Sequence, residues 1–219
     1  MAASRTASPP GTAAQHALEE LRRAIVAGEL RPGQRVGQEE IADRLGVSLA
    51  PVREALAALE QEGQLTYKPR RGYFVTELRL EDLREIYELR TLLEGRAARW
   101  AAPLLDTDAL ERIELAAREV VEAAEANDVA AELAANRRFH FALLEAPGQA
   151  HTLRVIKLLW DSTETYRALY YNSPRERTEA VRAHERIVAA LRAGDADRLV
   201  AELDAHRQRA LDQLGEILA

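Results

Sequence analysis

Three observations predict a mainly α-helical chain: an N-terminal winged helix-turn-helix followed by an antiparallel all-α bundle of about six helices. The stretch QEEIADRLGVSLAPVREALAALEQEG, Gln38 to Gly63, holds two short apolar-periodic segments separated by Gly46. Two segments of strand character, Leu65 to Lys68 and Tyr73 to Thr76, flank a Pro69-Arg70-Arg71-Gly72 turn. From Leu80 onward the pattern is helical, with amphipathic segments punctuated by Pro103, Asn127-Asp128, Pro147-Gly148, Ser173-Pro174 and Gly194-Asp195.

Residues 1–12 read as a flexible lead-in: MAASRTASPPGT is rich in Ala, Ser, Thr and Pro and has no apolar core of a secretory signal. A first domain is expected over 13–76. Its first helix runs from about Ala13 to Ala27, with Ala17, Leu18, Leu21, Ala24 and Ile25 on one face, and stops at Gly28. In the second helix of the central pair, Val52, Ala55, Leu56 and Leu59 fall at i, i+3, i+4 and i+7. Ser48 is placed to cap it, and Pro51 sits in the first turn, where its missing N–H costs no intrahelical bond. With the stripe turned inward, Leu49, Ala50 and Arg53 face solvent, as in a recognition helix that meets base edges. On its own, the stretch fits an ordinary helical hairpin with a solvated Arg equally well. The wing that follows, with two adjacent cations at its tip, favours DNA.

Residues 77–80 form a link, and 81–219 are expected to be an all-helical domain. Its segments are Leu80 to Ala102, Thr107 to Ala126, Val129 to Glu145, Gln149 to Tyr171, Arg175 to Ala193 and Ala196 to Leu218.

The 219-residue chain is 47% hydrophobic and 30% charged, enough for two modest cores, and no apolar run approaches the length of a membrane span. The absence of cysteine removes disulfides and thiolate metal sites and is compatible with a cytoplasmic location, the one expected here. A net charge of −6 would argue against nucleic acid, but it is unevenly spread. Residues 1–76 carry ten Lys/Arg against nine Asp/Glu, and residues 77–219 carry twenty against twenty-seven. Local phosphate neutralisation by Lys68, Arg70, Arg71 and Arg53 is therefore permitted.

In the helical region, Asn136 and His140 lie four residues apart and rise from one helix face, while His184 and His206 stand on the last two helices. A lone histidine in such a place is usually a core or surface residue. Three of only five histidines on bundle helices, one paired with an amide, can converge on a divalent cation. Arg90 has two readings: an anion-binding cation, or a partner of Glu94 at i+4.

The run PGQRVGQEEIADRLGVSLAPVREALAALEQEGQLTYKPRRGYFV, through Val75, resembles the DNA-binding domain of GntR-family transcriptional regulators. It shares the Leu45-Gly46-Val47-Ser48 turn, the Pro51-Val52-Arg53-Glu54-Ala55-Leu56 helix and the Arg70-Arg71-Gly72 wing. The resemblance implies a homodimer on a pseudopalindromic double-stranded DNA operator, with contacts from Arg35, Arg44, Ser48, Leu49, Ala50, Arg53, Lys68, Arg70, Arg71 and Gly72. It departs from the family at Leu49 and Ala50, where Arg-Thr is usual, and at Glu39, where Arg is common, so a different operator is expected. The remainder resembles the helical effector domain of the FadR-type branch. That resemblance implies a divalent metal ion of the Zn, Ni or Mn class on Asn136, His140, His184 and His206. It also implies a small carboxylate effector paired with Arg90 in a cavity that Tyr166, Arg167 and Asn172 line by register.

Two rival readings stay open on the residues alone. A three-histidine site can activate water in a metalloenzyme, although His-Glu-x-x-His, paired Glu-x-x-His, a nucleophile elbow and a phosphate loop are all absent. A helical scaffold carrying a degenerate winged domain would account for Glu39, Leu49 and Ala50, but not for Arg53 and Arg70-Arg71.

Overall fold

A computed structural model describes residues 12–171 and 173–218. The chain falls into two compact units divided between Thr76 and Glu77. Among the described residues, no helix is long and apolar enough to cross a membrane.

In the first unit, α1 (Ala13–Val26) begins where Thr12 Oγ1 accepts the Gln15 N–H. Helices α2 (Gln38–Leu45) and α3 (Leu49–Gln61) are joined by a turn at Gly46, whose φ of +65° is a left-handed conformation that side chains other than glycine resist. Ser48 occupies the N-cap position of α3 with extended backbone, but its side chain makes no capping hydrogen bond. Val52, Ala55, Leu56 and Leu59 are buried together with Leu21 and Ile25 of α1, so the expected stripe is the core face.

The wing consists of β2 (Leu65–Lys68) and β3 (Gly72–Val75), paired antiparallel from Leu65↔Val75 to Lys68↔Gly72. The second strand thus starts one residue earlier than its sequence pattern indicated. A two-residue strand, β1 (Arg35–Val36), adds to the other edge of β3 to give the order β1-β3-β2. Two residues are too few to show alternation, so only pairing reveals β1.

The second unit comprises α4 (Leu80–Ala101), a short 3₁₀ turn (Ala102–Leu104), α5 (Thr107–Glu125), α6 (Val129–Leu144), α7 (Ala150–Ser162), α8 (Glu164–Tyr171), α9 (Pro174–Arg192) and α10 (Ala196–Leu218). Its core joins Ala98 and Ala101, Ile113, Phe139 and Leu143, Ile187, and Leu199 and Leu203 from five helices. One expectation is corrected: the segment from Gln149 to Tyr171 is two helices, not one, and the described bundle holds seven. The break falls at Thr163, whose hydroxyl bonds back to the carbonyls of Leu159 and Trp160, competing with the helical ladder. Trp160 at the end of α7 and Arg167, Tyr170 and Tyr171 on α8 thereby line one cavity.

Candidate functional site

The winged unit presents Arg53 on the exposed face of α3, with Nε donating to Gln38 Oε1 at 3.0 Å. Ser48 and Ala50 are exposed beside it. Leu49 is half-buried and packs on the core, so it offers solvent less than the helical pattern indicated. Arg35 Nε donates to the Arg71 carbonyl at 3.0 Å, which lets β1 brace the turn of the wing. Lys68 Nζ lies 4.7 Å and the Arg71 guanidinium 5.4 Å from the centre of the Phe74 ring, within cation–π range. Gly72 has a φ of +90°, and a Cβ there would lie 3.9 Å from Arg35 Nε. Arg70, exposed at the tip, has a φ of +62°.

Arg44 stands 4.0 Å from Glu29, and elsewhere in this unit Arg22 pairs with Glu62 and Arg23 with Glu20 and Glu29. Among the described residues, Arg35, Arg53, Lys68, Arg70 and Arg71 make no ion pair. These are the cations of the recognition helix and the wing, and they retain charge for a polyanion.

In the helical unit, α6 carries Asn136 and His140, α9 His184 and α10 His206, all buried. The ring centres of the three histidines lie 5.0–5.3 Å from one another, and one ligand nitrogen from each falls within 4.8 Å of the other two. Neither nitrogen of His184 has a hydrogen-bond partner among the described residues, nor has His206 Nδ1 or Asn136 Oδ1. Burial holds all three imidazoles below their ordinary pKa; His184, His206, Arg90 and Arg207 lower His140 further, His206 lowers His184, and Arg207 and Arg90 help bring His206 down to about 4. Near neutral pH they are uncharged and keep lone pairs to donate.

The same cavity is lined by Tyr87, Arg90, Trp160, Arg167, Tyr170, Tyr171 and Arg207. Arg90 makes the intrahelical pair, with Nε donating to Glu94 at 2.7 Å, yet one terminal nitrogen stays unpartnered inside the protein. The Arg90 and Arg167 guanidiniums lie 4.3 and 4.0 Å from the Trp160 ring centre. Glu94 ties the wall together, accepting also from Trp160 Nε1 and Arg207, each at 2.8 Å. Burial opposes the charge on Glu94, but Arg90 and Arg207 outweigh it and hold the carboxyl below its usual range.

Three guanidiniums thus face the buried carboxylates of Glu94 and Glu164 and the part-exposed Asp204. The neutral imidazoles add no negative charge. Cavity volume is about 30 Å³, and a groove of about 570 Å³ between α4 and α10 shares Tyr87 and Arg207 with it.

Tyr166 does not line this cavity: its hydroxyl accepts the Leu78 N–H at 2.6 Å, where α8 meets the start of the unit. Asn172 lies outside the described residues. Tyr87, Glu94, Trp160, Tyr170, Tyr171 and Arg207 were not singled out as site residues from the sequence. Arg207, next to His206, carried a local signal, as did Glu94, already read as the i+4 partner of Arg90.

Two family models match the chain, one for bacterial regulatory proteins of the gntR family over residues 13–75 and one for the FCD domain over residues 85–209. The Nta operon transcriptional regulator of Aminobacter aminovorans is 31% identical over 195 residues, 88% of this chain and 90% of that protein. A probable D-xylose utilization operon transcriptional repressor of Paenarthrobacter nicotinovorans is 35% identical over 171 residues, 78% and 75% of the two chains. Among solved structures, McbR/YncC of E. coli is similar with a TM-score of 0.83 at 25% identity, covering 96% of this chain and 100% of that one.

Proposed function

The chain belongs to the gntR family of bacterial regulatory proteins and carries an FCD domain, and on that premise we propose a homodimeric, metal-loaded transcriptional regulator that answers to a small carboxylate. Each recognition helix α3 enters a major groove of a pseudopalindromic operator, and each wing reaches the neighbouring backbone or minor groove. Arg53 meets guanine or a phosphate, and Ala50 meets thymine methyl groups. His140, His184, His206 and the Asn136 amide oxygen hold a divalent ion. Three nitrogens and one neutral oxygen suit Zn or Ni better than Mn, which prefers carboxylates.

Bound there, the ion supplies a positive charge that no protein carboxylate cancels, and an anionic effector supplies the missing charge. The unpartnered N–H of Arg90 binds the effector carboxylate. The ligand changes the relative placement of the two DNA-binding units in the dimer by as much as it prefers one arrangement over the other.

The observation that carries this reading is the convergence of three neutral, buried imidazoles in a cavity walled by arginines. Elemental analysis of the purified chain is expected to find one divalent ion per protomer, lost in the His140→Ala, His184→Ala double variant; absence of the ion from the unmutated protein would reduce the cluster to core polarity. Arg90→Ala is expected to weaken carboxylate binding in calorimetry by tenfold or more, and equal affinity would move the anion contact elsewhere.

The DNA face is tested separately. Arg53→Ala should abolish sequence-specific binding without changing metal content. Arg70 sits in a backbone conformation that costs an L residue about 1 kcal/mol, so Arg70→Gly should stabilise the winged unit by up to that amount. The same change should lower the slope of log affinity against log salt by about 0.9 per protomer, the loss of one phosphate contact. Affinity measured by fluorescence anisotropy at four salt concentrations decides it; an unchanged slope takes the wing tip off the phosphates.

A further inference from the structure

The three-stranded sheet of the winged unit has two unlike faces, because cross-strand partners point the same way and residues alternate along each strand. Val36, Leu65, Tyr73 and Val75 share the face that packs on the apolar core of α1, α2 and α3. Arg35, Thr66, Lys68 and Phe74 share the other: Phe74 is opposite Arg35 on one side and Thr66 on the other, and Lys68 lies two residues on from Thr66. Phe74 is thus an aromatic side chain turned away from that core, and it is not part of the apolar cluster.

What lies over its ring is charge. Lys68 Nζ and the Arg71 guanidinium stand 4.7 and 5.4 Å from the ring centre. The ring is buried, and the two cations remain exposed. The backbone brings them there: the Arg71 N–H donates to the Lys68 carbonyl at 3.0 Å and closes the turn, and the Arg71 carbonyl accepts from Arg35 Nε at 3.0 Å. With both polar groups of the Arg71 backbone bound, only its side chain is left to be placed.

The kind of partner matters. A carboxylate cancels the charge it holds, as Glu62 does for Arg22 and Glu29 for Arg23. An aromatic ring attracts a cation through its quadrupole and carries no net charge, so the potential offered to a phosphate is undiminished. Long basic side chains that are free in water lose rotamer freedom when a phosphate takes them. A binding-competent arrangement that is only fractionally populated weakens the apparent affinity by that fraction. Held over one ring, the two side chains have lost that freedom before DNA arrives.

We propose that Phe74 is a positioning residue for DNA binding: its ring holds Lys68 and Arg71 on the face of the wing turned away from the core, so that backbone phosphates meet two charges already in place. This rests on the reading of the wing as a phosphate contact and adds the residue that organises it.

The test replaces Phe74 in the full-length chain with mono-, di- and trifluorinated phenylalanine, which withdraw negative potential from the ring face while nearly keeping its shape. Affinity is measured by fluorescence anisotropy at four salt concentrations, on a duplex that the unmutated protein selects from a random-sequence pool. It is expected to fall with each added fluorine, by about tenfold over the series, at an unchanged slope of log affinity against log salt, because no phosphate contact is lost. The Lys68→Ala, Arg71→Ala double variant should lower that slope by about 0.9 for each charge removed, and in its background the fluorines should have no effect. A decline that persists in the double variant overturns the proposal, since it marks a role in folding the wing. If the double variant lowers the slope but the fluorine series is flat, the phosphate contacts stand and the role of the ring falls. If the double variant leaves the slope unchanged, the reading of the wing fails and the proposal with it.

Discussion

Glu94→Ala is expected to destabilise the helical unit by about 3–5 kcal/mol, the size of the penalty when one partner of a buried ion pair is removed. Glu94 is 1% exposed and accepts from Arg90, Trp160 and Arg207. Alanine would leave two buried guanidiniums without their shared counterion and an indole N–H without an acceptor. Glu94→Gln, which keeps an acceptor oxygen but not the charge, should fall between alanine and the native residue. Both tryptophans, Trp100 and Trp160, lie in the helical unit, so urea unfolding followed by tryptophan emission reports on that unit. A shift below about 1 kcal/mol for the alanine variant would mean that water replaces the carboxylate freely and that the arginine wall is not a dry network.

The metal-free protein should lose stability on mild acidification, and a bound metal should oppose the loss. The three histidines have folded-state pKa values below the ordinary 6.5, mainly through burial, and His206 lies at about 4. A group lowered on folding contributes stability fully present above its unfolded pKa and lost as pH falls towards the folded one. From about pH 6.5 to 4, His206 alone accounts for about 3 kcal/mol, with His140 and His184 adding in the same direction.

Glu132 acts oppositely. Its pKa is raised on folding from 4.5 to about 7, so its contribution is full below the unfolded value and disappears as pH rises through the folded one. Glu132→Gln should therefore steepen the acid loss. The check is the Tm of chelator-treated protein between pH 7.5 and 5, where most surface carboxylates have not begun to titrate. A flat profile would mean that the imidazoles are not held neutral by burial. Zinc or nickel should raise Tm at pH 7.5 and lose that effect on acidification, because protons compete for the same nitrogens.

Much of the architecture could be read in advance because its signals are local. The stripe Val52, Ala55, Leu56, Leu59 is buried as its spacing requires, and Gly46 turns the chain where a left-handed residue is needed. Most helix ends in the bundle lie within a residue or two of their Pro, Gly, Asn or Asp punctuation. The break at Thr163 escaped notice because the apolar period continues through it, and a hydroxyl bonding back to two carbonyls leaves no mark on that period.

The candidate site was legible in part. His140, His184 and His206 stood out by residue type and helix register, and the fold brings them together. The direction of Tyr166 and the half-burial of Leu49 depended on what packs opposite them.

The amino-acid order, by itself, determined two units, the winged helix with cations on its recognition helix and wing, and which helices carry histidine. Each of these follows from residues within a turn or two of one another. Only the tertiary structure decided that Glu94, beside Arg90, would also pair with Arg207, 113 residues beyond Glu94, and that the Glu132 carboxyl would be buried with neither oxygen partnered among the described residues. The reason is physical: periodicity is a property of one helix, whereas the partner of a buried charge is chosen by the helices packed around it, and in a low-dielectric interior that choice sets both stability and chemistry.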